Sequence, residues 1–473
     1  MESVSKEVLF SGLPPFEQPD KVLSQIQANL KDDEQIVVVL DDDPTGTQTV
    51  YDVPVVTSWE IDVLKRAFSD ANTKVFYILT NSRSLPESDA EKLNIEIAQR
   101  LNEVSQLTQR PFSVISRSDS TLRGHFPLEM NVLENELDGD FDGWIIAPFF
   151  EEGGRFTLNN VHFVAEGDQL VPAGNTPFAQ DHTFGYNASN LKEWVAEKFG
   201  GNVEREITAV SLIQIRQGGV EAVTNHLLTM PASAICIVNA AEYRDIEIFV
   251  AGLQRAEKQG KQYLFRTAAS FVRARAGLAQ RTLLKHSQLV TPQRQRGGLV
   301  VIGSYVPKTT RQLGELKKQE NIVLIELSVP ELLDDVKQPL TIQQTAQEIE
   351  TQLNQQKDVV LFTSRKLITQ SDAFDPLTIG NIVSDCLVHI VQQLSEAPRY
   401  LIAKGGITSS DIATKGLGIK RAMVLGQILP GIPVWQAGES SRFPNLPYIV
   451  FPGNVGDDDA LATAVSILSG ESA

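Results

Sequence analysis

Short runs of β-branched and aromatic residues alternate along the chain with longer amphipathic stretches. In the first half, near-continuous apolar runs predict strands over 35–40, 74–80, 112–116 and 143–147. Helical periodicity fills the gaps over 58–68, 87–107 and 127–137. Two more strands are expected at 234–238 and 262–265, the second ahead of a helix over 268–286. Strands that are apolar on both faces and separated by helices indicate a parallel sheet covered on both sides. The rhythm stops at 286–298 (HSQLVTPQRQRGG), which is polar, contains proline and ends in Gly-Gly, as an interdomain linker does. It then restarts, with strands over 299–303, 322–327, 359–363, 400–403 and 448–451. Helices are expected over 309–319, 341–355, 378–394 and 457–468.

The pattern therefore predicts an α/β fold: two α/β domains with largely parallel sheets and an active site in the interdomain cleft. The expected divisions are an N-terminal arm over 1–34, a first domain over 35–288 and a second over 298–473. A length of 473 residues agrees, since one core rarely grows past about 250–300 residues. No internal repeat or low-complexity tract is present.

A formal charge of −17 argues against a nucleic-acid or anionic-membrane partner, because both demand a basic field. It leaves room for a local basic pocket that takes a small anion. Two cysteines, Cys236 and Cys386, are too few for a disulfide scaffold or a cysteine-rich zinc site. No apolar run approaches the ~20 residues that span a bilayer, and no secretory signal pattern opens the chain. A cytoplasmic location is the expectation.

In open α/β sheets, ligands bind outside the carboxyl ends of the strands. The residues that follow the first-half strands are unusually polar. After Leu40 comes Asp41-Asp42-Asp43-Pro44-Thr45-Gly46-Thr47, and after Thr80 comes Asn81-Ser82-Arg83-Ser84. Ser116 is followed by Arg117-Ser118-Asp119-Ser120-Thr121-Leu122-Arg123-Gly124. Ala147 is followed by Pro148-Phe149-Phe150-Glu151-Glu152-Gly153-Gly154-Arg155. Arginine forks grip a carboxylate or phosphate, while Asp, Ser and Thr hydrogen-bond hydroxyls, so the mixture suits a hydroxylated anion. Crowded acids such as Asp41 to Asp43 repel one another, which a cation or bound hydroxyls would relieve. Taken alone, Asp-Pro-Thr-Gly is equally a turn whose Asp caps a helix. Four such loops in one domain are less easily dismissed.

The second half places glycine and hydroxyl residues at the equivalent points. Gly303 leads into Ser304-Tyr305-Val306-Pro307-Lys308, and Ala403 into Lys404-Gly405-Gly406-Ile407-Thr408. Phe451 leads into Pro452-Gly453-Asn454-Val455-Gly456, ahead of a helix expected at Asp457. Glycines let backbone N–H groups approach a phosphate, so these loops read as a nucleotide-phosphate cradle. Ordinary turn chemistry accounts for any one of them. Walker A, G-x-G-x-x-G after a strand, G-x-S-x-G and H-E-x-x-H are all missing. His125 beside Arg123-Gly124 reads as structural, and Trp144 and Trp435 read as core.

The order and placement of six short motifs resemble the four-carbon acid sugar kinase family of threonate, erythronate and oxo-tetronate kinases. They are D-D-x-T-G at Asp42 to Gly46, T-x-S-R at Thr80 to Arg83, and the Asp119-Ser120-Thr121-Leu122-Arg123-Gly124 run after Arg117. Gly303-Ser304, Gly405-Gly406-Ile407-Thr408 and Gly453-Asn454-Val455-Gly456 follow in the second half. The resemblance covers nearly everything after about residue 35 and implies a sugar-acid domain followed by an ATP domain. Departures mark a distinct subgroup. The commoner A-D-D-F-T-G-A becomes Asp41-Asp42-Asp43-Pro44-Thr45-Gly46-Thr47, and the Lys of K-x-D-S is Arg117. The terminal K-S-G-x-F-G lacks its Lys and Ser, so Lys404 is expected to supply the lost charge to the phosphates.

The expected activity is ATP-dependent phosphorylation of a hydroxyl on a small polyhydroxylated carboxylic acid. The resemblance puts Asp42, Asp43, Arg83, Arg117, Ser118, Asp119, Ser120 and Arg123 on the sugar acid, with Arg83 and Arg123 on its carboxylate, Asp42, Asp43 and Ser120 on its hydroxyls, and Asp42 or Asp119 handling the proton. ATP would lie on Ser304, Lys404, Gly405, Gly406, Ile407, Thr408, Gly453, Asn454 and Gly456. Mg²⁺ would bridge the phosphates through ligands that the sequence does not identify. Small molecules are the expected partners, and the oligomeric state is open, a homodimer included. A ribokinase-like sugar kinase, a ligand sensor without catalysis and, third, a dehydrogenase remain as alternatives.

Overall fold

A computed structural model describes residues 2–17, 21–291, 294–365 and 376–470 of the protein. The chain forms two compact units, one from Met1–Val50 with Trp59–Gln280 and the other from Tyr51–Ser58 with Arg281–Ala473.

The first unit is built on a parallel sheet ordered Ile207–Val210, Ala234–Val238, Gly143–Ala147, Tyr263–Thr267, Phe112–Arg117, Ile36–Asp41, Val75–Leu79. Every residue of Ile36–Asp41 is buried, as expected for a central strand with helices on both faces. Helices Ile61–Ser69, Glu87–Thr108 and Leu128–Glu136 pack together, as do Gly219–Thr229 and Tyr243–Glu257. The sequence reading ends two strands one residue early. Asp41 and Arg117 are the last strand residues rather than the first loop residues, and they stand opposite each other in the ladder.

The N-terminal residues belong to this unit. Val22–Asp32 buries Val22, Ile26 and Leu30 and packs on Tyr243–Glu257. Val4–Ser5 pairs with Gln169 and Leu170 at the edge of a small antiparallel sheet completed by Val161–Glu166 and Arg155–Leu158. That sheet is absent from the sequence reading because its strands are very short and lie among glycines. The helix expected over 268–286 is only Ala269–Arg275. Gly277 adopts a left-handed φ of 65°, and a Cβ there would press on Leu30 Cδ1 at 2.9 Å, so the helix stops.

The second unit carries a mixed sheet. Leu401–Lys404, Leu299–Ile302, Asp358–Thr363 and Ile322–Leu327 run parallel beside Pro447–Phe451. Ile432–Ala437, Arg421–Leu429 and Val53–Val56 extend it antiparallel. The last two pairings went unread. Arg421–Leu429 is buried only at alternate positions and bulged, and Val53–Val56 is four residues long with a proline inside. The final helix is Ala460–Ser469, not 457–468, because the positive φ of Gly456 (81°) puts Asp457 to Asp459 into a turn. In the expected linker, His286–Leu289 forms a helical turn, and residues 292 and 293 lie outside the described residues. Among the described residues, no helix is long and apolar enough to cross a membrane.

Candidate functional site

Three adjacent parallel strands of the first unit end side by side, so the loops after Asp41, Leu79 and Arg117 converge. Their side chains form a network of ion pairs. Arg83 reaches three carboxylates: Asp43 Oδ2 at 2.7 Å, and Asp42 Oδ1 and Asp119 Oδ1 at 3.4 Å. Arg123 donates from Nε to Asp119 Oδ2 at 2.6 Å and lies 3.6 Å from Asp181. Arg117 Nη1 donates to Asp41 Oδ1 at 3.0 Å and lies 3.7 Å from Asp42. Asp41, Asp42 and Arg117 are sealed from solvent beneath the loops, whereas Asp43, Arg83, Asp119 and Arg123 keep a partly exposed face. Removing one partner of a buried pair such as Asp41–Arg117 costs about 3–5 kcal/mol, so Arg117 braces the two strand ends whatever else it touches.

The motif residues explain themselves locally. Asp43 caps the turn Pro44–Thr47, accepting from Thr45 N at 2.8 Å and Thr45 Oγ1 at 2.5 Å. A Cβ on Gly46 would collide with the Asp41 carboxylate, so this position admits only glycine. Thr80 Oγ1 donates to Asp41 O at 2.9 Å, and Ser82 Oγ to Glu129 Oε1 at 2.6 Å. The hydroxyls of T-x-S-R thus brace the loop, and its Arg83 faces the carboxylates. Ser118 and Ser120 are buried, and the Ser120 carbonyl accepts from His162 Nε2 at 2.7 Å. His125 Nε2 bonds the Ser82 and Leu85 carbonyls at 3.2 and 3.1 Å, a structural part.

The four aspartates titrate very differently. Burial pushes the Asp41 carboxyl up to about 7 against the pull of Arg117, and pushes Asp42 up to about 6 despite Arg83 and Arg117. Both Asp42 oxygens are buried without a hydrogen bond. Burial also opposes the charge on Asp43 and Asp119. Arg83 nevertheless holds Asp43 below the usual range, and Arg123 with Arg83 holds Asp119 far below it. Of the two acids expected to handle the proton, Asp42 is buried and Asp119 is partly exposed, charged and tightly oriented.

Three participants escaped the sequence reading. Arg266 sits on Tyr263–Thr267, between Gly143–Ala147 and Phe112–Arg117, and pairs with Glu129 Oε2 at 2.9 Å. An arginine inside an apolar strand was the available signal. Glu129 is almost fully buried in the first turn of Leu128–Glu136. Asp181 comes from a loop well outside the motifs.

In the second unit, three loops after the strand ends Ile302, Lys404 and Phe451 pack against one another. A Cβ on Gly303 would collide with Thr408 Oγ1, and one on Gly405 (φ 118°) would meet Ser304 Cβ at 3.0 Å. A Cβ on Gly453 would lie 3.5 Å from Ser304 Oγ. Thr309 Oγ1 links Ser304 Oγ and the Gly453 carbonyl, each at 3.2 Å. Ser304, Gly405, Thr408 and Gly453 are therefore gathered into one cradle, with Ile407 and Asn454 exposed on it. Gly406 starts the short helix Gly406–Asp411, and the Gly456 carbonyl accepts from Lys308 Nζ at 3.1 Å.

Lys404 differs from its expected place in a loop. It ends the strand Leu401–Lys404, is fully buried, and donates from Nζ to the Pro452 and Gly453 carbonyls at 2.5 and 3.3 Å. Burial, with some repulsion from Lys308, pulls its pKa down to about 7. It holds the glycine loop from behind. A cation missed from the sequence is Arg365, whose Nη2 donates to Ser304 O at 2.9 Å and Thr310 Oγ1 at 3.0 Å.

The comparisons follow the same division. Residues 37–275 match the model of a sugar-binding N-terminal domain, and residues 299–461 that of a nucleotide-binding C-terminal domain. No curated protein matches the chain. Among solved structures, a putative tRNA synthase from Salmonella typhimurium LT2 is similar at a TM-score of 0.69 and 17% identity, over 90% of this chain and 98% of that one. Protein HI1011 of Haemophilus influenzae is similar at a TM-score of 0.63 and 17% identity, over 91% and 100%. At that identity the likeness speaks for the fold. The family matches add the two binding roles, in the order that the loops led us to expect, and the chain belongs to the four-carbon acid sugar kinase family.

Proposed function

We propose that the protein is an ATP-dependent kinase that phosphorylates a hydroxyl of a small polyhydroxylated carboxylic acid. The observation that carries this reading is the pairing of two unlike sites in one chain. One is a cluster of oriented carboxylates and guanidiniums, and the other is a cradle of glycine loops braced by Ser304, Thr309 and Lys404. Carboxylates orient hydroxyls, guanidiniums take an acid group, and backbone N–H groups at glycines take phosphates.

Asp119 is the carboxylate that orients the acceptor hydroxyl. Arg123, Arg83 and Thr121 fix it and keep it charged, so it accepts a hydrogen bond along a defined direction. A loose phosphoryl-transfer transition state asks for alignment and charge neutralisation more than for a strong base. Asp43 offers a second acceptor for a neighbouring hydroxyl. Ser304, Gly405, Thr408 and Gly453 would line the triphosphate, with Lys404 fixing the loop geometry.

The described residues contain no group of three or more His, Cys, Asp or Glu able to hold a metal. That fits Mg²⁺, which is usually carried by nucleotide phosphates with one or two carboxylates at most. Bound there, it would neutralise charge on the transferring group.

The test is a panel of four- to six-carbon sugar acids with ATP, scored for ADP and for a phosphorylated acid. Turnover with at least one acid is expected. Binding of acid and ATP without ADP would make the protein a sensor instead.

A further inference from the structure

We propose that Arg155 receives the carboxylate of the acceptor acid. The proposal rests on the kinase reading and deepens it, because it names the group that separates a sugar acid from a neutral sugar.

The other arginines of the cluster are already committed. Arg83 carries three carboxylates, Arg117 is tied to Asp41, Arg123 to Asp119 and Asp181, and Arg266 to Glu129. Arg155 stands apart. Among the described residues its guanidinium makes no hydrogen bond and no ion pair, and Nε is shut off from solvent with no acceptor. Its close partner is the ring of Phe178, 5.6 Å from the guanidinium carbon, and Arg123 approaches the same ring at 5.2 Å. Two guanidiniums thus share one aromatic ring, and of the two it is Arg123 that makes ion pairs.

The position is built rather than accidental. Arg155 and Phe150 exchange backbone hydrogen bonds of 2.8 and 3.1 Å, which closes the loop that follows Gly143–Ala147. A Cβ on Gly153 would collide with the Phe150 ring and come within 3.0 Å of Arg155 Nη1, so the glycine makes room for both side chains. Asp119 and Arg123 lie close enough for their charges to act on Arg155. Arg155 is half-buried with only Nε sealed, and this partial burial draws its pKa below the ordinary value, so a counter-ion would be favourable there. A ligand carboxylate supplies the missing counter-ion and suits a planar fork. With Asp119 beside it, the acid group and a hydroxyl of one small molecule both find partners.

The test is titration calorimetry on the full-length chain with threonate and erythronate, with the carboxamide of whichever acid binds more tightly, and with ATP. The parent should bind an acid and prefer it to its amide. Arg155→Gln should bind that acid about thirty-fold more weakly, the lower end for truncating a buried charge pair. It should also lose the preference for acid over amide while keeping the parent's ATP affinity and melting temperature. Arg155→Lys should recover part of the preference. If Arg155→Gln still discriminates acid from amide as the parent does, the inference falls and the kinase reading stands. If ATP affinity drops together with that for the acid, Arg155 is a structural residue. If the parent binds neither of these two acids, the same titrations are run across the four- to six-carbon panel, and binding of none of its members would bring down the kinase reading and the inference together.

Discussion

On the proposed reading, the two loop clusters would solve anion recognition by opposite means. In the first unit the work lies in side chains. Aspartates and arginines neutralise one another, and Arg83 alone spans Asp42, Asp43 and Asp119. In the second unit the work lies in the backbone. Glycines 303, 405 and 453 let three loops approach closely, and the buried cation, Lys404, holds carbonyls instead of facing outward. Side chains read a ligand's individual hydroxyls and acid groups and so confer selectivity. Backbone donors read phosphate whatever is attached to it. Substitutions in the first unit should therefore change which acid is used and how fast. Those in the second should change ATP affinity and leave acid selectivity alone.

The largest effect expected is on the side-chain cluster. Asp119→Asn keeps the shape but removes the charge that Arg83 and Arg123 orient. Turnover should fall by about 10²–10⁴-fold, the usual weight of a positioned acid–base group, with ATP affinity unchanged. Steady-state kinetics beside ATP titration measures both. Retained turnover would remove Asp119 from the mechanism and leave Asp43 as the exposed carboxylate of the cluster.

On the backbone cluster, Gly405→Ala meets two obstacles. Its φ of 118° disfavours any side chain, and a Cβ would stand 3.0 Å from Ser304 Cβ. Strain of about 1–3 kcal/mol in the loop should weaken ATP binding by about tenfold or more. Acid binding should not move. A matched loss of acid affinity would end the division of labour between the clusters.

How legible each cluster was in sequence follows from the same contrast. Apolar strands announce themselves, so Ile36–Asp41 and Val75–Leu79 were expected to within a residue. The D-D-x-T-G run was legible because Gly46 must lie against Asp41 and Asp43 must cap the turn. What a charged residue pairs with was not legible. Arg83, Arg117 and Arg123 read as free ligands for an anion, and the fold spends them on Asp41 to Asp43 and Asp119. Lys404 read as a phosphate contact because a one-residue shift at a strand end decides between loop and core. Arg266 and Glu129 joined the site through a strand and a helix that carry none of the motifs. Register and pairing are tertiary facts, and local pattern does not contain them.

Lys404→Met sharpens the backbone side of the comparison. Methionine keeps the stem but leaves the Pro452 and Gly453 carbonyls without their donor, at a cost of about 1–3 kcal/mol. The loop should loosen and ATP affinity should drop by about tenfold. Raising the salt concentration should weaken ATP binding equally in variant and parent. A much steeper salt dependence in the parent would show that the Lys404 charge acts on phosphate directly.

The smallest effect expected separates the buried acids from the exposed ones. The Asp42 carboxyl is raised to about 6 in the folded protein and is ordinary when unfolded, so between about pH 4 and 6 the native state holds a proton that the unfolded chain has lost. Its contribution to stability is complete below pH 4 and is lost as pH rises through 6, the reverse of a salt-bridged carboxylate such as Asp119. Asp42→Asn carries the uncharged form at every pH. Its melting temperature should lie nearest the parent's below about pH 4 and exceed it by a few degrees near pH 8. A gap that narrows with rising pH would mean that Arg83 and Arg117 outweigh burial at Asp42, making it an ordinary member of the ion-pair network.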